Sequence, residues 1–477
     1  MASMFAGMFV ACSGASSLSV IPDTAPLGTD PNADPSADGA ASADAGSNVA
    51  PEGDSDGNGS ATTDASEAGP PPTPVFVSLA ERCKLINNAN LDNPSANQPV
   101  THANLRGTDL GIPVVHGNDL FVFFGDSTGS KGIWPFGPES LPDAVGYSAV
   151  PYATVAADPS TLCTNLRFLG GPANSGVGHT LDNSIERDFA AASMSPPAGH
   201  TLSEYIHNPA GPRGANAFTN LPGDFEVPSG AFDYQGSIYL FYTTVVSPTT
   251  VEMKGSYLAR WTAPSTTGQP NYNILYRIDE RFDANGAMHG DFINVAPVVH
   301  GDYVYLYGTG VYRQSAVHLA RKHLTTLKTP GGFERFDATT KTWVAANSAT
   351  AAPVVASAGI GELSVQYFPA IKRFAMLDQE ITSGNNQVVA RFANSPEGPW
   401  SAAITVASLS DPAFTAKYCC VSLDCTGERL INCDRAGFYG TYMLPDVTIH
   451  AGGTFGIDFT MSTWDPYNVA LMTATFR

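Results

Sequence analysis

The chain has 477 residues, 43% of them apolar and 10% aromatic, which is enough for one large core or two modest ones. With 46 Gly and 36 Pro against only 24 Lys and Arg, the composition suits a turn-rich all-β protein better than a helical one. A net charge of -20 argues against a nucleic-acid partner, since nothing would neutralise phosphates, and disfavours anionic membrane surfaces.

The first residues, "MASMFAGMFVACSG", hold an apolar run too short to span a bilayer and read as an export signal over residues 1–12. The "VAC" ending resembles the lipobox of bacterial lipoproteins, which implies acylation of Cys12. The alternative is a buried thiol near a misassigned start. Residues 13–76 are almost entirely Ala, Asp, Ser, Gly, Pro, Thr and Asn with no Lys or Arg, so no core can form from them. They are expected to be a disordered acidic tether, with an end-to-end distance of about 45 Å for a coil of that length. Together these features imply an exported protein, lipid-anchored at the envelope or cell surface, or secreted, that meets the membrane only through its lipid.

Six further cysteines remain: Cys83, Cys163, Cys419, Cys420, Cys425 and Cys433. An even number in an exported chain suggests disulfides, the most economical pairing being Cys83 with Cys163 and the last four among themselves. The cluster lacks paired CxxC spacing and contains no His, so no metal is expected there.

Residues 77–477 contain repeats. "PVVHG" occurs at Pro113–Gly117 and at Pro297–Gly301, each time followed by an aromatic strand, "LFVFFG" and "YVYLYG". Degenerate versions lie at "AFDYQGSIYLFYTT", "ELSVQYFPAIKRFAML" and "YMLPDVTIHAGGTFGIDFTMS". A third strand follows four of these hairpins: "YLARW", "HLARK", "VVARF" and "YNVALMTATF". Five such units at long spacing predict the blades of a five-bladed β-propeller. The one helical candidate, "SIERDFAAASM", is expected in an insertion loop.

In the first unit, a two-residue turn at Gly117-Asn118 pairs His116 with Asp119, and opposite partners then sum to 235. Asp109 and Asp126 also sum to 235, which predicts two carboxylates facing each other on one side of the hairpin, about 5 Å apart at Cβ. Like charges so placed are destabilising and call for a reason. As lone residues, "TD" and "GD" would be ordinary turn caps. As a pair they match what retaining glycoside hydrolysis needs, one carboxyl as acid/base and one as nucleophile. Spacing alone leaves the two equivalent, and Asp126 is assigned as nucleophile with Asp109 as acid/base.

Further substrate-binding candidates are Glu226 in "DFEVPSG", His289 and Asp291 in "MHGDFINVAP", and Glu362 in "GIGELSVQY". Each lies before or early in a unit's first strand, where an acid is otherwise a solvated cap. Trp134 of "GIWPFGP" and Trp464 with Tyr467 of "STWDPY" are candidate stacking platforms for sugar rings, core packing being the alternative for Trp464.

"GTDLG" followed by "FFGDS", "NVAPVVHGDYVYLYGTG", "ANSPEGPWS" and "YGTYMLPD...FTMSTWDPYNVALM" together resemble a bacterial domain family long of unknown function that includes endo-D-arabinanases, over about 380 residues from near Gln98. The resemblance implies a five-bladed propeller glycosidase cutting D-arabinofuranosyl linkages of cell-wall arabinan, with Asp109 and Asp126 as its catalytic pair. It implies a monomer with a polysaccharide substrate and no cofactor. Two other readings stay open, a propeller that binds polysaccharide or protein without cutting it and an exo-acting furanosidase. The absence of GxSxG and HExxH argues against serine-hydrolase and zinc-protease chemistry.

Overall fold

The computed structural model describes residues 72–86, 95–97, 99, 105–129, 140–141, 143–169, 205–206, 225–246, 252–267, 272–281, 288–420, 425, 429–434, 436–463 and 466–477. These belong to one compact unit, Pro72–Arg477, which begins slightly ahead of the expected boundary at residue 77. Cys12, the tether up to residue 71, Trp134, Trp464 and the helical candidate lie outside the described residues.

The unit is mostly β, with short helices at Tyr152–Ala157, Leu162–Asn165 and Pro412–Tyr418, and five antiparallel meanders follow one another. After β1 (Phe76–Ile86), the first comprises β2 (Leu105–His116), β3 (Asp119–Gly129), β4 (Ser140–Leu141), β5 (Asp143–Ser148), β6 (Leu166–Phe168) and β7 (Tyr205–Ile206). The second is β8 (Phe225–Tyr234), β9 (Ser237–Val246), β10 (Glu252–Thr262) and β11 (Tyr272–Glu280). The third is β12 (Asn294–His300), β13 (Tyr303–Thr309) and β14 (Ser315–His323), with an added hairpin β15 (Glu334–Asp337) and β16 (Thr342–Ala345). The fourth is β17 (Val355–Phe368), β18 (Arg373–Thr382), β19 (Asn385–Ala393) and β20 (Ile404–Ser408). The fifth, β21 (Phe438–Ile449), β22 (Phe455–Thr463) and β23 (Asn468–Phe476), is completed by β1 on its outer edge. Pairing of β14 with β17 joins the third and fourth meanders into one sheet.

The repeated hairpins predicted from the sequence are present as β2/β3, β8/β9, β12/β13, β17/β18 and β21/β22. Gly117 and Gly301, at φ 60° and 57°, supply the left-handed residue that their two-residue turns require.

The first strands touch in a closed circuit: β2 on β8, β8 on β12, β12 on β17, β17 on β21, and β21 on β2. A narrow cavity at the centre is lined from all five, by Pro113, Gly230, Pro297, Val365 and Met443 among others. Five apolar clusters fill the spaces between consecutive sheets. Strand periodicity explains how one strand serves two of them. In "LFVFF", Leu120, Val122 and Phe124 pack toward the fifth meander with Val469 and Leu471, while Phe121 and Phe123 pack toward the second with Leu240 and Trp261.

Disulfides join Cys83–Cys163, Cys419–Cys433 and Cys420–Cys425, the partition expected from the sequence. Among the described residues no helix is long and apolar enough to cross a membrane, and no cluster of His, Cys, Asp or Glu has the geometry to hold a metal.

Candidate active site

The site is built on the "GTDLG" and "FFGDS" segments of β2 and β3. His116 pairs with Asp119 and Ile112 with Phe123, as expected, but the register then slips by one: Leu110 pairs with Phe124, and Asp109 with Gly125. The predicted direct opposition of Asp109 and Asp126 is therefore corrected. The cause is a bulge at Leu110-Gly111, both in the left-handed region at φ 62° and 95°. Leu110 is strained there, at a cost of about 1–3 kcal/mol. Its surroundings hold the kink in place: Thr460 Oγ1 donates to the Gly111 carbonyl (2.9 Å) and Ser462 Oγ to that of Leu110 (3.3 Å).

A second irregularity follows on β3, where Asp126 and Ser127 together face Thr108. Thr108 donates to the Gly125 carbonyl and meets the Ser127 hydroxyl at 2.9 Å, and Ser127 Oγ accepts from the amide of Ala144 (3.2 Å). The hydroxyl and glycine positions of the two motifs thus have a geometric task. They bend two strands so that Asp109 leans over Gly125, where an added Cβ would lie 2.5 Å from its Oδ1.

Asp143 was missed by sequence reasoning. The pairs Phe123–Val145 and Ser127–Leu141 keep one register, which puts Asp143 across from Gly125 on the side away from Asp109. It is buried, and its Oδ2 has no hydrogen-bond partner among the described residues. Nothing in "LPDAVGY" marks it as more than a turn aspartate.

The carboxyl environments differ. Burial pushes Asp109 up to about 7, against hydrogen bonds from Tyr439 and Tyr467 that favour its charged form; the Glu362 charge raises it and the Arg313 charge lowers it. Tyr439 Oη donates to Asp109 Oδ2 at 2.9 Å. Asp126, half-buried, is held well above the usual range by desolvation and then by the charges of Asp109 and Glu226. Asp143 is raised by burial and then by Asp126, Glu226 and Asp109. Burial alone lifts Glu226 to about 7.

The sequence candidates accordingly divide. Asp109 and Glu226 both act on Asp126 electrostatically, and Glu362 acts on Asp109 from β17, where it receives a two-pronged hydrogen bond from Arg313 (3.0 and 3.3 Å). Asp291 stands apart from this group, accepting from Arg335 (2.7 Å) with His318 3.7 Å away. His289 is engaged with the Asn347 carbonyl at 2.6 Å. Tyr467, a candidate platform, is instead buried, with its hydroxyl donating to the Asp126 carbonyl (2.7 Å). Tyr439 could not be told from a core aromatic on its strand.

A family model described as "Domain of unknown function (DUF4185)" matches residues 177–473. Similar solved structures include the catalytic domain of the Coprinopsis cinerea GH62 alpha-L-arabinofuranosidase, at 10% identity and TM-score 0.43 over 84% of this chain and 98% of that one. The Podospora anserina alpha-L-arabinofuranosidase PaAbf62A in complex with cellotriose is 12% identical with TM-score 0.42, over 85% and 98%. Zg3597, a family 117 glycoside hydrolase of Zobellia galactanivorans, is 11% identical with TM-score 0.40, over 84% and 91%. No curated protein sequence matches the chain.

Proposed function

The chain belongs to the DUF4185 family, and we propose that it is a retaining glycoside hydrolase of arabinofuranosyl polysaccharide, an endo-D-arabinanase built as a five-bladed propeller. The closed circuit of five first strands, with an apolar cluster at each of the five sheet interfaces, supports the propeller. The observation that carries the chemistry is the contrast between two neighbouring carboxyls, Asp109 anchored by a tyrosine hydroxyl and Asp126, whose ionisation is opposed by burial and then by the charges of Asp109 and Glu226.

That contrast reverses the roles expected from the sequence, where spacing left the two equivalent. Asp109, whose carboxylate form receives the Tyr439 hydrogen bond, is assigned as nucleophile, and Asp126, whose charged form burial and two neighbouring acids oppose, as acid/base. The Asp109 carboxylate attacks the anomeric carbon as the bond to the leaving sugar breaks, and Asp126 gives its proton to the leaving oxygen. Asp126, now a carboxylate, takes a proton from the water that attacks the same carbon. Asp109 is released and the starting protonation is restored. Glu226 helps keep Asp126 protonated. We place the enzyme outside the cell, as a lipid-anchored or secreted monomer.

The test is to incubate the purified protein with D-arabinan, L-arabinan and xylan and to size the products. A ladder of oligosaccharides from D-arabinan alone is expected. Single sugars would assign an exo-acting furanosidase, and no cleavage with retained binding would assign a non-catalytic propeller.

A further inference from the structure

The loop 310–314, between β13 and β14, contributes a residue that neither sequence motif includes. Arg313 is in the left-handed region at φ 53°, an unfavourable conformation for a side chain of its size. The loop is fixed from both ends: Ser315 Oγ accepts from the Gly310 amide (3.0 Å) and donates to the Val311 carbonyl (3.1 Å). The guanidinium reaches β17, where it grips Glu362, and lies over two aromatic rings, 4.5 Å from the Tyr312 centroid and 4.8 Å from that of Tyr439. Tyr439 in turn holds Asp109. A fork fixed at its tip by a buried carboxylate presents a flat face in one orientation, which a flexible ammonium cannot do.

We propose that Arg313 is a positioning residue of this site: clamped on Glu362, it presses on the Tyr439 ring and keeps that hydroxyl on Oδ2 of Asp109. The inference rests on the glycosidase reading only for its effect on turnover. Third, fourth and fifth meanders are thereby joined to the first at one carboxylate. The two charges of the clamp act on Asp109 in opposite directions, Arg313 favouring its ionised form and Glu362 opposing it, and both rank below the Tyr439 hydrogen bond that the clamp aims. The other titratable groups acting with Asp109 are Asp126 from β3, Asp143 from β5, Tyr442 from β21, Tyr467, and Tyr312 beside Arg313 itself; of these the guanidinium lies over the Tyr312 ring.

The experiment follows the Asp109 carboxyl by carbon-13 NMR in aspartate-labelled protein, its resonance assigned by loss in Asp109→Asn. Tyr439→Phe should raise its midpoint by about one to two pH units, the equivalent of a hydrogen bond to a charged group. Arg313→Lys, which keeps the charge and loses the fork, should raise it by about half a unit or more. In the Tyr439→Phe background the same Lys change should do almost nothing. Full additivity of the two, or no shift from Arg313→Lys, would overturn the proposal. If Arg313→Lys does not fold, Glu362→Gln releases half of the fork and is read by the same double difference. The low-pH limb of kcat/KM on arabinan should move with the midpoint. Midpoints that move as stated in a protein that cuts no glycan would leave the clamp standing and remove the glycosidase.

Discussion

The hydroxyl of Tyr439 donates to Oδ2 of Asp109 across 2.9 Å, joining residues 330 positions apart. This contact favours the charged form of Asp109 against the burial that opposes it, inside a crowded group of acids.

Asp109→Asn and Asp126→Asn should each fold and each lose about 10³-fold in activity, because nucleophilic or acid/base work is removed while shape is kept. With an aryl arabinofuranoside whose leaving group needs no proton, azide should restore turnover to Asp126→Asn and not to Asp109→Asn. Rescue of the opposite variant would make Asp126 the nucleophile and Asp109 the acid/base. Wild-type rates in both would make the aspartates turn residues.

Gly125→Ala should abolish activity while the sheets persist. The new methyl meets Asp109 Oδ1 at 2.5 Å and the Leu110 side chain at 2.6 Å, so the carboxylate must leave its place. Overpacking of this kind costs about 1–3 kcal/mol of stability. Calorimetry and arabinan assays on the same sample separate the two effects.

Stability should fall as pH rises from about 5 to 8. Asp109 and Glu226, raised to about 7, and Asp126 and Asp143, raised well above the usual carboxyl range, bind more protons folded than unfolded. Their contribution is complete below the unfolded carboxyl value near 4 and is lost as pH climbs through the folded values. Asp143→Asn should flatten the slope and raise Tm at pH 8, readable by thermal melts across the range. A Tm that rises toward pH 8 would contradict the burial of these acids.

Replacing Cys83 and Cys163 together by Ser should lower stability by about 4 kcal/mol, since the bond closes a loop 80 residues long. Denaturant unfolding under non-reducing conditions measures it, with the Cys420–Cys425 pair, spanning five residues, as the weaker comparison.

The hairpins were readable because alternation and two-residue turns are local signals. "LFVFF" between Gly117 and Gly125 can hardly be anything but a strand with two buried faces. The register near Asp109 was not readable, because the bulge at Leu110-Gly111 is held by Thr460 and Ser462, some 350 residues away. Asp143 and Tyr439 carry no local mark of their role, which comes from neighbours on other strands. Asp291, a substrate-binding candidate from its place just before the third unit's first strand, is engaged by Arg335, on a hairpin that the repeat does not predict. The strand before residue 95 was overlooked because its partner is the last strand of the chain.

That pairing has one more consequence. Val75 and Arg477 exchange backbone hydrogen bonds of 2.9 and 3.0 Å, so the polypeptide enters and leaves the circuit at the same point. Strand order around the centre is thus a property of a circle, and the place where the backbone is cut is incidental to it. A short peptide joining Val75 to Arg477, with new termini opened at the exposed Gly331-Gly332, would give a circular permutant carrying the same five meanders and the same group of acids.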